Sequence, residues 1–101
     1  MTMDKVSVVR IYITEGEKQL DKLLKILRDF EHLRGVTIFR GISGFGESGV
    51  IHKSTFIDVL GELPLVIEFF DNPDKVEDII KHIHADIKPG HLLTWSAKIS
   101  T

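Results

Sequence analysis

Cysteine is absent from the 101 residues, which excludes a disulfide framework, a thiolate nucleophile and a cysteine-ligated zinc ribbon. Charge of one sign is also scarce. Thirteen Lys and Arg stand against 15 Asp and Glu, for a net charge of −2 and a pI near 6.2. A general grip on nucleic acid needs a concentrated basic surface, so no nucleic-acid partner is expected. No apolar run approaches the roughly 20 residues of a membrane span, and no signal-peptide pattern opens the sequence. Direct membrane insertion is therefore not expected, and a cytoplasmic location is the default. Only three prolines occur, and each stands where a strand or helix begins or a turn is needed.

What remains is ordinary globular composition, 43% hydrophobic and 28% charged. That suffices for one core, so residues 1–101 read as a single domain. The segment VSVVRIYI (Val6 to Ile13) is β-branched and aromatic, and reads as a strand. From Glu17 to Leu33 the period changes: Leu20, Leu23, Leu24, Leu27 and Phe30 recur on one helix face. Thr14 and Glu17 have the spacing of a capping box, and Gly35 is placed to end the helix. VTIFRGI (Val36 to Ile42) is a second strand and LPLVIEFF (Leu63 to Phe70) a third, with Pro64 at its start because proline donates no ladder bond. DNPDKVEDIIKHIHADI opens a second helix, capped by Asn72 or Asp71 with Pro73 in its first turn. The turn KPGH leads to a last strand, LLTWSAKI (Leu92 to Ile99).

The order β-α-β-β-α-β is that of the ferredoxin-like split βαβ arrangement, an α+β fold. Four antiparallel strands form one sheet, and both helices cover one of its faces. The other face stays open. With Val9, Ile11 and Ile13 assigned to the core, Val8, Arg10 and Tyr12 point away, joined by Glu68 with Val66 and Phe70. Thr94, Ser96 and Lys98 are placed on that open side too. Arg10, Tyr12, Glu68 and Lys98 are thus the expected contacts of a homo-oligomer. Arg10 and Glu68, on neighbouring strands, are expected to form an ion pair.

The connection between the second and third strands is long, roughly twenty residues where hairpins use two to five. Its stretch FRGISGFGESGVIHKS holds four of the eight glycines. Arg40 offers a bidentate fork for phosphate or carboxylate, and Phe45 a stacking plate. The run lacks the G-x-x-x-x-G-K-[ST] of a phosphate loop, and it does not sit in a βαβ crossover. From spacing alone, a flexible turn and an anion cradle both stay open, and a short strand or helical turn is allowed near STFIDVL. His82 and His84 lie two apart on a helix and face different ways, so no metal site is expected. Asp71, Asp74, Glu77 and Asp78 complement the positive end of the second helix.

The runs VRIYI, GVTIFRGISGFGESGVIHKS and LPLVIEFFD together resemble a small bacterial and archaeal family known as domain of unknown function one hundred and ninety. That family is similar in fold to the PII signal-transduction proteins. The most specific part is Arg40-Gly41-Ile42-Ser43-Gly44-Phe45-Gly46, followed by His52 and by Leu63-Pro64. The resemblance implies a PII-like protomer that assembles as a homotrimer with its open sheet faces turned inward. It implies further that the long connection is a T-loop, and that a small anionic effector, often an adenine nucleotide, binds between subunits and reshapes it. The loop then engages a membrane transporter or an enzyme. On this reading Arg40 holds the charge, the backbone around Gly41, Gly44 and Gly46 donates hydrogen bonds, and Phe45 packs on the ligand. His52 and Lys53 are contacts at the loop tip. The expected function is non-enzymatic signalling with no resident cofactor. The alternatives are an adaptor that binds only protein, and an acylphosphatase-like hydrolase. The latter fold keeps its glycine and arginine loop after the first strand, where this chain has only TEGEKQ.

Overall fold

The computed structural model describes residues 1–33, 35–45, 52–53 and 64–101. Its elements are β1 (Met3–Ile13), α1 (Glu17–Lys25), β2 (Val36–Arg40), β3 (Ser43–Gly44), β4 (His52–Lys53), β5 (Leu65–Asp71), α2 (Pro73–Ile83) and β6 (Leu92–Ser100). The main sheet runs β2-β5-β1-β6, with every pairing antiparallel. This is the ferredoxin-like order expected from the sequence. β3 and β4 form a separate two-residue ladder, Ser43 opposite Lys53 and Gly44 opposite His52. The STFIDVL segment proposed for extra structure lies outside the described residues.

One face of the sheet carries the core. Val9, Ile11, Ile67 and Phe69 are buried against Leu20, Leu23 and Leu27 of the first helical segment and Val76, Ile79 and Ile83 of α2. Each fully buried side chain of this size contributes roughly 1.5–3 kcal/mol. Of the stripe read for the first helix, Leu20, Leu23 and Leu27 are buried and Leu24 packs against the core, while the side chain of Phe30 lies outside the described residues.

The helix ends differ from expectation in two places. α1 starts at Gly16, with no side-chain cap, so the Thr14–Glu17 capping box does not form. Instead the buried Gln19 accepts from the backbone N–H groups of Thr14 and Glu15 at 3.0 and 2.9 Å. At the other end α1 widens into a π-turn over Ile26–Phe30, where Glu31 N–H reaches the Ile26 carbonyl. His32, with φ of 52°, takes the left-handed position that Gly35 was expected to supply. α2 behaves as read: Asn72 caps it by accepting from the Asp74 N–H at 3.2 Å, and Pro73 occupies the first turn.

Candidate functional site

The topology gathers one end of every main strand. Ile13 pairs with Leu65, Leu65 with Arg40, and Ile11 with Leu92. The end of β1, the end of β2, the start of β5 and the start of β6 therefore meet at one pole. The α1 N-terminus and the turn after α2 lie there too, because they adjoin those strand ends.

Arg40 is the last residue of β2. It shares the parity of Val36 and Ile38, opposite Leu65, so it leans to the helix side. Its Nη2 donates to Glu17 Oε1 at 3.3 Å in a half-exposed pair. Such a pair is worth about 0–1 kcal/mol and leaves the guanidinium open to competition. Gly41 follows, and its N–H donates to the Pro64 carbonyl at 2.7 Å. A Cβ on Gly41 would stand 2.8 Å from Pro64 Cγ, and one on Gly44 3.1 Å. Close approach of the proline ring accounts for both glycines. The Gly41 N–H expected to serve an anion is already engaged. Phe45 is 74% exposed, as a stacking plate would be. Gly46 lies outside the described residues, as do the side chains of His52 and Lys53.

On the other flank of the α1 N-terminus lies a cleft of about 850 Å³ between Thr14–Lys22 and Ala85–Pro89. Lys18, Lys22 and Lys88 line it, with Glu15 and Asp86. Lys22 Nζ donates to Asp86 Oδ1 at 2.8 Å. That bond raises the ammonium above its ordinary pKa. Gln19 forms the floor, and its Nε2 donates to the Asp86 carbonyl at 3.1 Å. One buried amide thus ties the β1–α1 turn to the turn after α2. Arg40 is not among the walls of this cleft, so the loop base and the lysines do not form one pocket within the protomer. Gln19 escaped the sequence reading although it stands four residues before Leu23, on the edge of the buried stripe.

The open face carries a second constellation. Arg10 and Glu68 sit opposite each other across β1 and β5. Arg10 donates from Nε and Nη2 to Glu68 Oε1 at 3.0 and 2.5 Å, as the ion pair expected from the sequence. The hydrogen bond to Glu68, and then one to Tyr12, raises the guanidinium pKa. Its Cζ lies 6.0 Å from the Phe39 ring centroid and 5.7 Å from that of Trp95. Lys98 is not on this face. Val8 pairs with Trp95, Arg10 with Leu93 and Lys5 with Lys98, so Leu93, Trp95 and Ala97 face the open side while Thr94, Ser96 and Lys98 face the other. The expectation inverted β6 because an edge strand extends beyond the helices, and its apolar row need not turn toward them.

Two kinds of similarity bear on this architecture. A UPF0166 protein of Aquifex aeolicus is 35% identical over 96 residues, covering 94% of this chain and 97% of its own. A UPF0166 protein of Methanocaldococcus jannaschii is 29% identical over 96 residues, with coverage of 90% and 87%. Among solved structures, CPII from Thiomonas intermedia K12, bound to ADP and bicarbonate, superposes with a TM-score of 0.74 at 13% identity, covering 99% of this chain and 93% of that one. The divalent ion tolerance protein CutA1 from Ehrlichia chaffeensis gives 0.61 at 14% identity, with coverage of 95% and 82%. The fold is thus that of the PII-like and CutA1 proteins. Residues 6–99 match the model of the DUF190 family, described as "Uncharacterized ACR", and the chain belongs to that family.

Proposed function

We propose that the protein is a non-enzymatic, PII-like regulatory module that binds a small anionic effector, an adenine nucleotide, at the base of the β2–β5 connection. The observation that carries this reading is Arg40. It ends β2 at the pole where β1 also ends and β5 and β6 begin, and among the described residues only an exposed 3.3 Å pair with Glu17 holds its guanidinium. A charged fork so placed exchanges a weak partner for a phosphate with little penalty. The bound ADP of the CPII structure supports the ligand class. Phe45 is available to pack on a base, and His52 and Lys53 form one side of the short ladder at the loop base, opposite Gly44 and Ser43.

The same reading takes the open face as the surface on which copies of the chain assemble, as a trimer. Tyr12, Phe39, Phe70, Leu93 and Trp95 are between 36% and 48% exposed there. Together they present on the order of 400 Å² of apolar side chain, within the range of the largest patches on monomers, which often mark a site of interaction. No helix among the described residues is long and apolar enough to cross a membrane, so a transporter partner would be met from outside the bilayer by the loop.

Titration calorimetry with AMP, ADP, ATP, cyclic AMP and bicarbonate tests the effector. Binding by at least one nucleotide is expected, weakened roughly ten- to a hundredfold by Arg40→Ala, as for loss of a hydrogen bond to a charged group. No heat and no thermal shift with any of these ligands would refute it. An acyl-phosphate hydrolysis assay is expected to stay at background.

A further inference from the structure

We propose that the Arg10–Glu68 pair sets the register and the stoichiometry with which copies of this chain cover the open face. This rests on the self-association reading given above and goes beyond it, because it assigns the choice among possible arrangements to one polar cluster.

The cluster takes one residue from each strand of the main sheet: Phe39 from β2, Glu68 from β5, Arg10 from β1 and Trp95 from β6. The guanidinium lies near both rings and is bonded twice to one carboxylate oxygen. Around it the face is mainly apolar, with Tyr12, Phe70 and Leu93 in the open. Apolar burial has no direction, so such a face permits several sliding and rotated contacts of similar free energy. The ion pair does not. Both of its hydrogen bonds fall on Glu68 Oε1, and Oε2 has no hydrogen-bond partner among the described residues. The guanidinium, bonded to Glu68 and to Tyr12, likewise has N–H groups beyond those used. An arrangement that buries these groups without partners is penalised, and one that supplies partners is selected. A lone polar residue in a coiled-coil seam specifies register and strand number in the same way.

The occupant is a second copy of this chain because the cluster is neutral in itself. One cation and one anion cancel within hydrogen-bond distance. A strongly charged partner finds no opposing field on this face, whereas the same mixed surface on another copy offers both apolar area and polar groups.

The test compares the full chain with Arg10→Met/Glu68→Met, which keeps side-chain volume and removes both charges. Native mass spectrometry and sedimentation velocity read stoichiometry, and circular dichroism reads folding. The wild type is expected to show one oligomer. The double variant is expected to remain associated but to lose the single state, giving two or more stoichiometries in comparable amounts. A single unchanged stoichiometry in the double variant overturns the register role while leaving self-association intact. A wild type that is monomeric throughout overturns the self-association reading itself, and this inference with it. If the double variant does not fold, Arg10→Lys decides. It keeps the charge but not the two-point fork or the planar contact with the rings, and it is expected to give mixed stoichiometries. A uniform Arg10→Lys oligomer identical to wild type overturns the proposal.

Discussion

Replacing Gly41 with alanine separates the two explanations of the glycine-rich run. The added Cβ would lie 2.8 Å from Pro64 Cγ, whereas carbon atoms rest about 3.5–4.0 Å apart. The chain at Gly41 and the proline ring must therefore part by about 0.7–1.2 Å. They resist, because the Gly41 N–H donates to the Pro64 carbonyl at 2.7 Å between the same residues. Overpacking of this kind costs roughly 1–3 kcal/mol. Alanine recovers about 0.4–1 kcal/mol by restricting the unfolded chain, since Gly41 has no left-handed φ to forbid it. The net loss is about 1–2 kcal/mol, or a fall in Tm of roughly 5–15 °C for a domain of this size. Gly44→Ala, with 3.1 Å to the same ring, should lose less. Gly35→Ala, with nothing within 4 Å, should be neutral or slightly stabilising. Thermal and urea unfolding followed by circular dichroism give the three values. Pro64→Ala combined with Gly41→Ala in a double-mutant cycle should show coupling between them, since it removes the clashing ring. A Gly41→Ala protein that melts with or above Gly35→Ala, or a cycle without coupling, would refute the packing explanation.

Three further outcomes follow from particular contacts. Gln19→Leu strands the N–H groups of Thr14 and Glu15 and the Asp86 carbonyl; equilibrium unfolding should show a loss of roughly 1–3 kcal/mol despite the gain in apolar volume. Asn72→Ala removes the cap of α2 and should cost about 0.5–2 kcal/mol in the same assay, with little change in nucleotide binding measured by calorimetry. The Arg28 hydrogen bond lowers the Asp29 carboxyl below 3.8, so its stabilising contribution is complete above the unfolded value and disappears as pH falls through the folded one. Stability curves of wild type and Asp29→Asn should therefore differ slightly at neutral pH and converge only below about pH 3.8, a small effect because the pair is on the surface; a gap that persists or widens under acid would contradict the assignment.

The residues by themselves determined the order of elements and the fold. Periods of two and of 3.6 are properties of the local chain, and the stripes Leu20-Leu23-Leu27 and Val76-Ile79-Ile83 pack where their spacing places them. Alternation along β1 and β5 likewise exposed Arg10 beside Glu68, and the family pattern lay in a contiguous run around Arg40. Three matters waited for the tertiary structure. Alternation divides Leu92–Ser100 into two rows but does not say which row faces the helices; pairing of Val8 with Trp95 decides it. A glycine needed for close approach looks the same in sequence as one needed for an anion, and Pro64, which distinguishes them at Gly41, is distant along the chain. Gln19 shows the same limit, since a glutamine at the edge of a helix stripe reads as solvent-facing until the turn at Asp86 folds over it. In each case the deciding contact is long-range, and long-range contacts are set by packing rather than by local propensity.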